Sequence, residues 1–313
     1  MTAEVNDKLS GKRRVQHALV KAFYVASERI GKLTIYDINK ARGLKYKRKI
    51  RYCSDERLYL NLCYKEDGGT EKRPVLFYIH GGGFVSGRPE FREAFVSKFA
   101  EAGYFTVNVF YGLTPKYVHP YSIENIYKAL KWVQENADGY NLDLSRVFVS
   151  GESAGATLAA MAGAVSSNPD YKRLFNLDYA SRDFKFKGMV LNCGVYDMEK
   201  VCASGFPHID YFVEAYYGRS IETVDKESIN FVSMSPYRFI TPDFPPSFII
   251  TAENDKLTDG GNEFAERLKE NGVKIDVFHG EGKTAVHAFA VAQILKISRA
   301  AVKQSIKFTD DIP

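Results

Sequence analysis

Serine becomes a useful nucleophile only when its hydroxyl is held at a rigid, open turn beside a base, and one stretch of this sequence has that form. Val147-Phe148-Val149-Ser150 is an apolar run, Gly151-Glu152-Ser153-Ala154-Gly155 follows it, and an alanine-rich stretch comes next. A G-x-S-x-G pattern by itself is weak, since its residues are common. A strand before it and a helix after it are what a nucleophile elbow requires: Ser153 takes the strained turn, and small residues two positions to either side let strand and helix approach. The bland reading is an ordinary β-to-α turn. A second pattern argues against it: His80-Gly81-Gly82-Gly83-Phe84 after the apolar run Val75-Leu76-Phe77-Tyr78-Ile79. Residues without a Cβ adopt conformations closed to others, so a glycine run can turn backbone N–H groups toward a developing oxyanion. The same run could instead cradle a phosphate. Gly82 to Gly87 has the G-x-x-x-x-G spacing, but Arg88-Pro89 stands where a phosphate loop needs Lys followed by Ser or Thr. A merely flexible loop would leave His80 and the strand before it unexplained.

A serine nucleophile needs an imidazole to take its proton, and the imidazole needs a carboxylate to fix its tautomer. On an elbow these partners follow in the order Ser, then Asp or Glu, then His. Only His208, His279 and His287 come after Ser153. His208 precedes the acid candidates, and His279 ends a strand-like run. His287 follows a short loop, 280–286, and is the expected base, because a catalytic imidazole must reach over the strand tips. Glu253, Asp255 and Asp259 cluster after the apolar run 247–251, where open α/β sheets carry their functional groups. Asp259 is placed to cap the next helix and Glu253 to hold loop backbone. Asp255, in the loop itself, is the expected acid.

These groups need a scaffold, and the pattern of the chain supplies one. Apolar runs of strand length at 74–79, 104–110, 147–150, 188–193, 247–251 and 274–278 alternate with helical periodicity at 91–102, 123–136, 154–165, 261–271 and 288–307. That alternation predicts an α/β fold: a doubly wound, mostly parallel sheet with helices on both faces. Two earlier runs, 49–53 and 58–64, alternate like a hairpin and predict an antiparallel edge. Residues 1–45 are helical in pattern without a strand partner. Residues 199–235 form an insertion rich in aromatics, for which a cap over a pocket is one reason and a peripheral excursion the other.

Composition narrows the classes. A chain of 313 residues, 45% hydrophobic and 26% charged, suits one large α/β domain or two small ones and is neither disordered nor a coiled coil. Cys53, Cys63, Cys193 and Cys202 form no C-x-x-C pair and no Cys/His box, so neither a disulfide framework nor a metal site is expected. With 43 Lys+Arg against 38 Asp+Glu, the net charge of +5 is too mild for a dedicated nucleic-acid binder. Met1 to Ser10 runs into Lys12-Arg13-Arg14 with no apolar segment behind it, so a secretory leader is not expected and a cytoplasmic setting is. The charge-free stretch between Glu152 and Asp170 is rich in Ala, Gly and Ser and reads as a buried helix, not a stable membrane insertion. The basic clusters at 12–14 and 45–51 read as solvated faces, with an anionic membrane or partner as the alternative.

Together the motifs resemble the hormone-sensitive-lipase-type family of α/β-hydrolases, the bacterial family IV carboxylesterases. The resemblance runs from about Pro74 to the end of the chain through HGGGF at His80, G-x-S-A-G at Gly151, Asp-x-Leu-x-Asp at Asp255 and His-x-Phe at His287. It implies the α/β-hydrolase fold, with Ser153 as nucleophile, His287 as general base and acid, and Asp255 as its orienter. The oxyanion hole would be the N–H groups of Gly82, Gly83 and Ala154. A helical cap would combine residues 1–45 with 199–235, around a core of 46–198 and 236–313. The implied activity is hydrolysis of a small-molecule ester through an acyl-enzyme, with no metal or organic cofactor. Phe84, Phe206, Tyr211, Phe212 and Tyr216 are expected to line an apolar pocket for short acyl or aryl esters.

The sequence also departs from that family. Tyr111-Gly112-Leu113-Thr114-Pro115-Lys116 stands where Tyr-Arg-Leu-Ala-Pro-Glu is common, so the packing behind the oxyanion loop is expected to differ. Glu152 replaces an Asp, Lys256 stands where Pro is common, and Ala288 replaces Gly after the histidine. None of these removes a catalytic group. Two rival readings share the fold: a non-catalytic receptor like the plant gibberellin receptors, which lack the catalytic histidine, and an amidase or deacetylase using the same triad. An open sheet edge permits a homodimer.

Overall fold

Successive side chains of a strand point to opposite faces, so a strand apolar at every position must be covered on both. The computed structural model, which describes residues 11–31, 38–66, 71–178 and 181–313, shows that arrangement. The readings of Met1 to Ser10 and of the Lys12 and Arg14 side chains lie outside the described residues. Strands β1 (Lys45–Arg51), β2 (Tyr59–Tyr64), β3 (Arg73–Ile79), β4 (Phe105–Phe110), β5 (Leu142–Glu152), β6 (Gly188–Asn192), β7 (Ser247–Ala252) and β8 (Ile275–Gly280) form one sheet. Its order is β1-β2-β4-β3-β5-β6-β7-β8. The β1–β2 and β2–β4 pairs are antiparallel and all others parallel, so the expected antiparallel edge is present.

Val75, Phe77, Ile79, Val149, Leu191 and Ile249 pack on one face against helices α3 (Tyr121–Glu135), α4 (Ala154–Ser167) and α6 (Thr258–Glu270). Their neighbours Leu76, Tyr78, Phe148, Val190, Phe248 and Ile250 pack on the other, against α2 (Glu93–Glu101) and α7 (Lys296–Asp310). Every residue of α4 is buried, which is why its sequence carries no polar stripe.

Two expected elements are corrected. The helix foreseen at 288–307 is broken: Ala288 is left-handed (φ 54°), a single 3₁₀ turn spans Phe289–Val291, and α7 starts only at Lys296. Helix α6 begins at Thr258 with Leu257 in the cap position, so Asp259 sits in its first turn instead of capping it.

Helix α1 (Gly11–Gly31) lies against α5 (Ile209–Tyr217) of the 199–235 insertion. Arg13 Nε donates to Glu214 Oε2 at 2.9 Å, and His17 Nε2 lies 3.0 Å from the same oxygen. The Tyr24 and Phe212 rings meet edge to face at 4.9 Å. Val20 and Tyr24 complete a separate apolar cluster with Val85, Tyr211, Phe212 and Ala215. Among the described residues, no helix is long and apolar enough to cross a membrane.

Candidate active site

Strand β5 ends at Glu152 and α4 starts at Ala154, so the turn between them is one residue. That residue, Ser153, takes φ 52° and ψ −124°, a conformation costly for a side-chain-bearing residue. The closeness of the elements explains the flanking glycines. A Cβ on Gly155 would lie 2.1 Å from the Ile79 carbonyl oxygen, and one on Gly151 would lie 2.4 Å from the Gly155 backbone. The Ser153 N–H donates to the Asn192 carbonyl at 2.8 Å, which fixes the turn against β6.

The loops after β7 and β8 deliver the partners. His287 Nε2 lies 2.9 Å from Ser153 Oγ, and Nδ1 lies 2.8 Å from Asp255 Oδ2. A carboxylate can only accept, so Nδ1 carries the proton and Nε2 is free to accept from the serine. Asp255 also accepts from the Leu257 N–H at 3.1 Å, and the two loops are joined where the Asn254 N–H donates to the Ala285 carbonyl at 2.9 Å. Burial opposes charge on Asp255. The His287 hydrogen bond and its proximity, with the Leu257 amide, outweigh burial and hold the carboxyl below its usual range.

Of the other candidates, Glu253 and His279 do what their positions suggested, while Asp259 does not cap its helix. Glu253 accepts from the Gly282 N–H at 2.6 Å, and His279 Nδ1 lies 2.9 Å from Thr251 Oγ1. His208 precedes α5, its ring edge-on to Tyr24.

The fold adds a neighbour that sequence spacing did not reveal. The Cys193 sulfur, a carboxylate oxygen of Asp255 and a ring nitrogen of His287 all lie within 4.8 Å of one another. Thiol, carboxylate and imidazole are a donor set that could hold a soft divalent ion. Here the carboxylate and imidazole are engaged with each other, and burial pushes the Cys193 thiol well up, keeping it protonated.

The glycine loop lies beside the elbow. His80 is buried, stacks on Tyr111 at 4.6 Å, and donates from Nδ1 to the Gly81 carbonyl at 2.8 Å. Burial lowers it to about 3, so it stays neutral and serves as a structural donor. Gly82 and Gly83 take φ of 114° and 59°. Among the described residues, the N–H groups of Gly82, Gly83 and Ala154 donate to no protein acceptor. The departure behind this loop has an answer in Arg92, which carried no signal in the sequence. Its Nε donates to Glu152 Oε1, which also accepts from the Gly81 N–H at 2.7 Å, while Tyr78 OH donates to Oε2.

These groups open onto a cavity of about 210 Å³ whose apolar wall includes Phe84, Phe206 and Phe212. Tyr211 and Tyr216 were expected there, and the structure places them elsewhere. Tyr211 faces α1, its ring 4.5 Å from that of His17. Tyr216 lies behind the pocket, stacked on Phe84 at 3.8 Å. On a helix with 3.6 residues per turn only one stripe can face a cavity, and on α5 that stripe is Ile209, Phe212 and Val213.

A parallel sheet with helices on both faces and an elbow serine at the end of its fifth strand defines an α/β-hydrolase. The chain belongs to that family: residues 76–291 match the family model described as alpha/beta hydrolase fold. Within it, the motifs place the chain on the hormone-sensitive-lipase-type branch. It is 29% identical to the carboxylesterase NlhH of Mycobacterium tuberculosis over 74% of each chain. It is 28% identical to the esterase LipQ of the same organism over 72% of this chain and 52% of LipQ. The chain thus spans little more than half the length of several curated relatives it matches. Esterase B from Lactobacillus rhamnosis, solved with a tributyrin phosphonate inhibitor, shares the fold with a TM-score of 0.84 at 20% identity, over 97% of this chain and 96% of that one.

Proposed function

We propose that the protein is a serine carboxylesterase that hydrolyses short-chain acyl or aryl esters through an acyl-enzyme. The observation that carries this reading is the unbroken line from Ser153 Oγ through His287 to Asp255, with hydrogen bonds of 2.9 and 2.8 Å. Ser153 attacks the ester carbonyl as His287 takes its proton at Nε2, and Asp255 stabilises the imidazolium. The N–H groups of Gly82, Gly83 and Ala154 receive the oxyanion, Ala154 at the N-terminal end of α4, where the helix dipole adds to the field. His287 then protonates the departing alcohol, and water releases the acid by the same route. Backbone and side chains supply every group these steps use.

The size of the cavity supports short substrates. About 210 Å³ is below the range typical of drug-sized ligands, and three phenylalanines wall it. The names of NlhH and LipQ, and the tributyrin phosphonate bound to esterase B, agree with an ester substrate. We read α1 and the 199–235 insertion as one cap over the site. The four free thiols fit a reducing, cytoplasmic setting.

Turnover of 4-nitrophenyl acetate and butyrate tests the reading. Loss of turnover in Ser153→Ala with retained fold supports it; binding without hydrolysis in the wild type would favour a receptor. The same triad suits an amide, so matched ester and amide substrates must be run side by side, with the ester expected to turn over faster.

A further inference from the structure

Helix α1 reaches the glycine loop through a chain of buried charges. Glu28 accepts from Arg92 Nη2 at 3.2 Å. Arg92 passes the contact on through Nε to Glu152 Oε1, and that oxygen holds the Gly81 N–H at 2.7 Å. All three side chains are at most 10% exposed. Burial holds the Glu28 carboxyl above its usual range, opposed by Arg92 and by the hydroxyl of Ser86 in the same glycine loop.

The loop needs such a hold. Gly82 and Gly83 lie at φ values that glycine enters and leaves freely, so their N–H directions depend on the bonds around them. The Gly81 carbonyl accepts from His80 Nδ1, the Gly82 carbonyl accepts from the Val85 and Ser86 N–H groups, and Glu152 anchors the Gly81 N–H where the loop leaves β3. A planar guanidinium bridging two carboxylates is a rigid connector, because its donors are fixed in one fork.

We propose that Glu28 and Arg92 are positioning residues for the oxyanion donors: Glu28 on α1 orients Arg92, Arg92 orients Glu152, and Glu152 fixes the amide of Gly81 that aims the N–H groups of Gly82 and Gly83. This deepens the esterase reading and rests on it. Glu28, Arg92 and Glu152 also edge the cavity, but their polar groups are engaged with one another, so substrate binding rests on the apolar wall whereas oxyanion stabilisation draws on the relay. Weakening the relay therefore lowers kcat and leaves KM in place.

The test compares Glu28→Ala, Glu28→Gln and Arg92→Lys with wild type on 4-nitrophenyl butyrate. Glu28→Ala is expected to lose about tenfold in kcat with KM within about twofold, a fraction of the loss from deleting an oxyanion donor outright. Glu28→Gln keeps an oxygen for Arg92 and is expected to stay close to wild type. Arg92→Lys keeps a cation beside Glu152 but lacks the fork, and is expected to fall like Glu28→Ala. Wild-type kcat in Glu28→Ala or in Arg92→Lys overturns the proposal, as does a rise in KM at constant kcat. Hydrogen exchange of segment 80–87 gives a readout independent of turnover: it is expected to accelerate in Glu28→Ala and not in Glu28→Gln. Unchanged exchange in Glu28→Ala overturns the relay even if the protein is an active esterase. Absence of wild-type turnover overturns the esterase reading, and the exchange result then judges the relay by itself.

Discussion

Two residues at the site carry conformations or charges that can be tested singly. Asp255→Asn keeps the shape but turns an acceptor into a possible donor, which favours the wrong tautomer of His287. A loss of about 10³–10⁴ in kcat is expected, read from steady-state hydrolysis with the fold checked by circular dichroism. Ala288 holds a left-handed conformation beside the histidine, at φ 54°, where glycine rests without steric cost. Ala288→Gly should raise stability by about 1 kcal/mol, seen as a Tm higher by about 2 °C. An unchanged or lower Tm would mean that the surrounding loop already absorbs the strain.

At the scale of elements, the contact between α1 and α5 depends on Glu214. Its carboxylate meets Arg13 at 2.7 Å and His17 at 3.0 Å, and also accepts from Ser220 Oγ and the Ile221 N–H. Burial opposes its charge, but these partners together hold it below its usual range. A group lowered on folding adds stability above its unfolded pKa, and that stability is lost as pH falls through the folded value. Hydrogen-exchange protection of α1 is therefore expected to hold at neutral pH and to fall below about pH 4, where an ordinary Glu titrates. Glu214→Ala should lose that protection already at neutral pH, while the strands keep theirs. A uniform loss across the sheet would show that α1 does not open separately.

For the molecule as a whole, the sheet ends in two edge strands, β1 and β8, and β1 is the one whose sequence bears on whether copies pair there. β1 has the sequence KYKRKIR, and its pairing with β2 shifts register between Lys47 and Ile50, with Lys49 at φ 56°. Charge and a bulge are two of the ways an edge is kept from pairing with another chain. The ion pairs of Lys45 with Glu66 and of Arg51 with Glu56 are exposed, and such pairs contribute little to stability. The double variant Lys45→Thr with Arg51→Thr should stay folded and associate with rising concentration, measured by size-exclusion chromatography with light scattering. Unchanged elution would show that the bulge and the remaining charges of Lys47, Arg48 and Lys49 suffice to defend the edge.

Local pattern was enough to place the catalytic candidates. Strand-like runs and the glycines that a close approach demands depend on neighbours in sequence, and the order of serine, acid and histidine is read directly along the chain, so Ser153, Asp255 and His287 were legible as candidates from the sequence. Helix phase was not. The pattern marks aromatics in the insertion, but which of them see the cavity depends on how α5 is rotated against α1 and the glycine loop, so Phe212 lines the pocket while Tyr211 and Tyr216 do not. The break after His287 was hidden for a similar reason, since a left-handed alanine is sustained by the loop around it. Arg92, Glu28 and Cys193 belong to the same group. Their roles arise from contacts between segments distant in the chain, where burial strengthens each hydrogen bond and only the folded packing decides which charges meet.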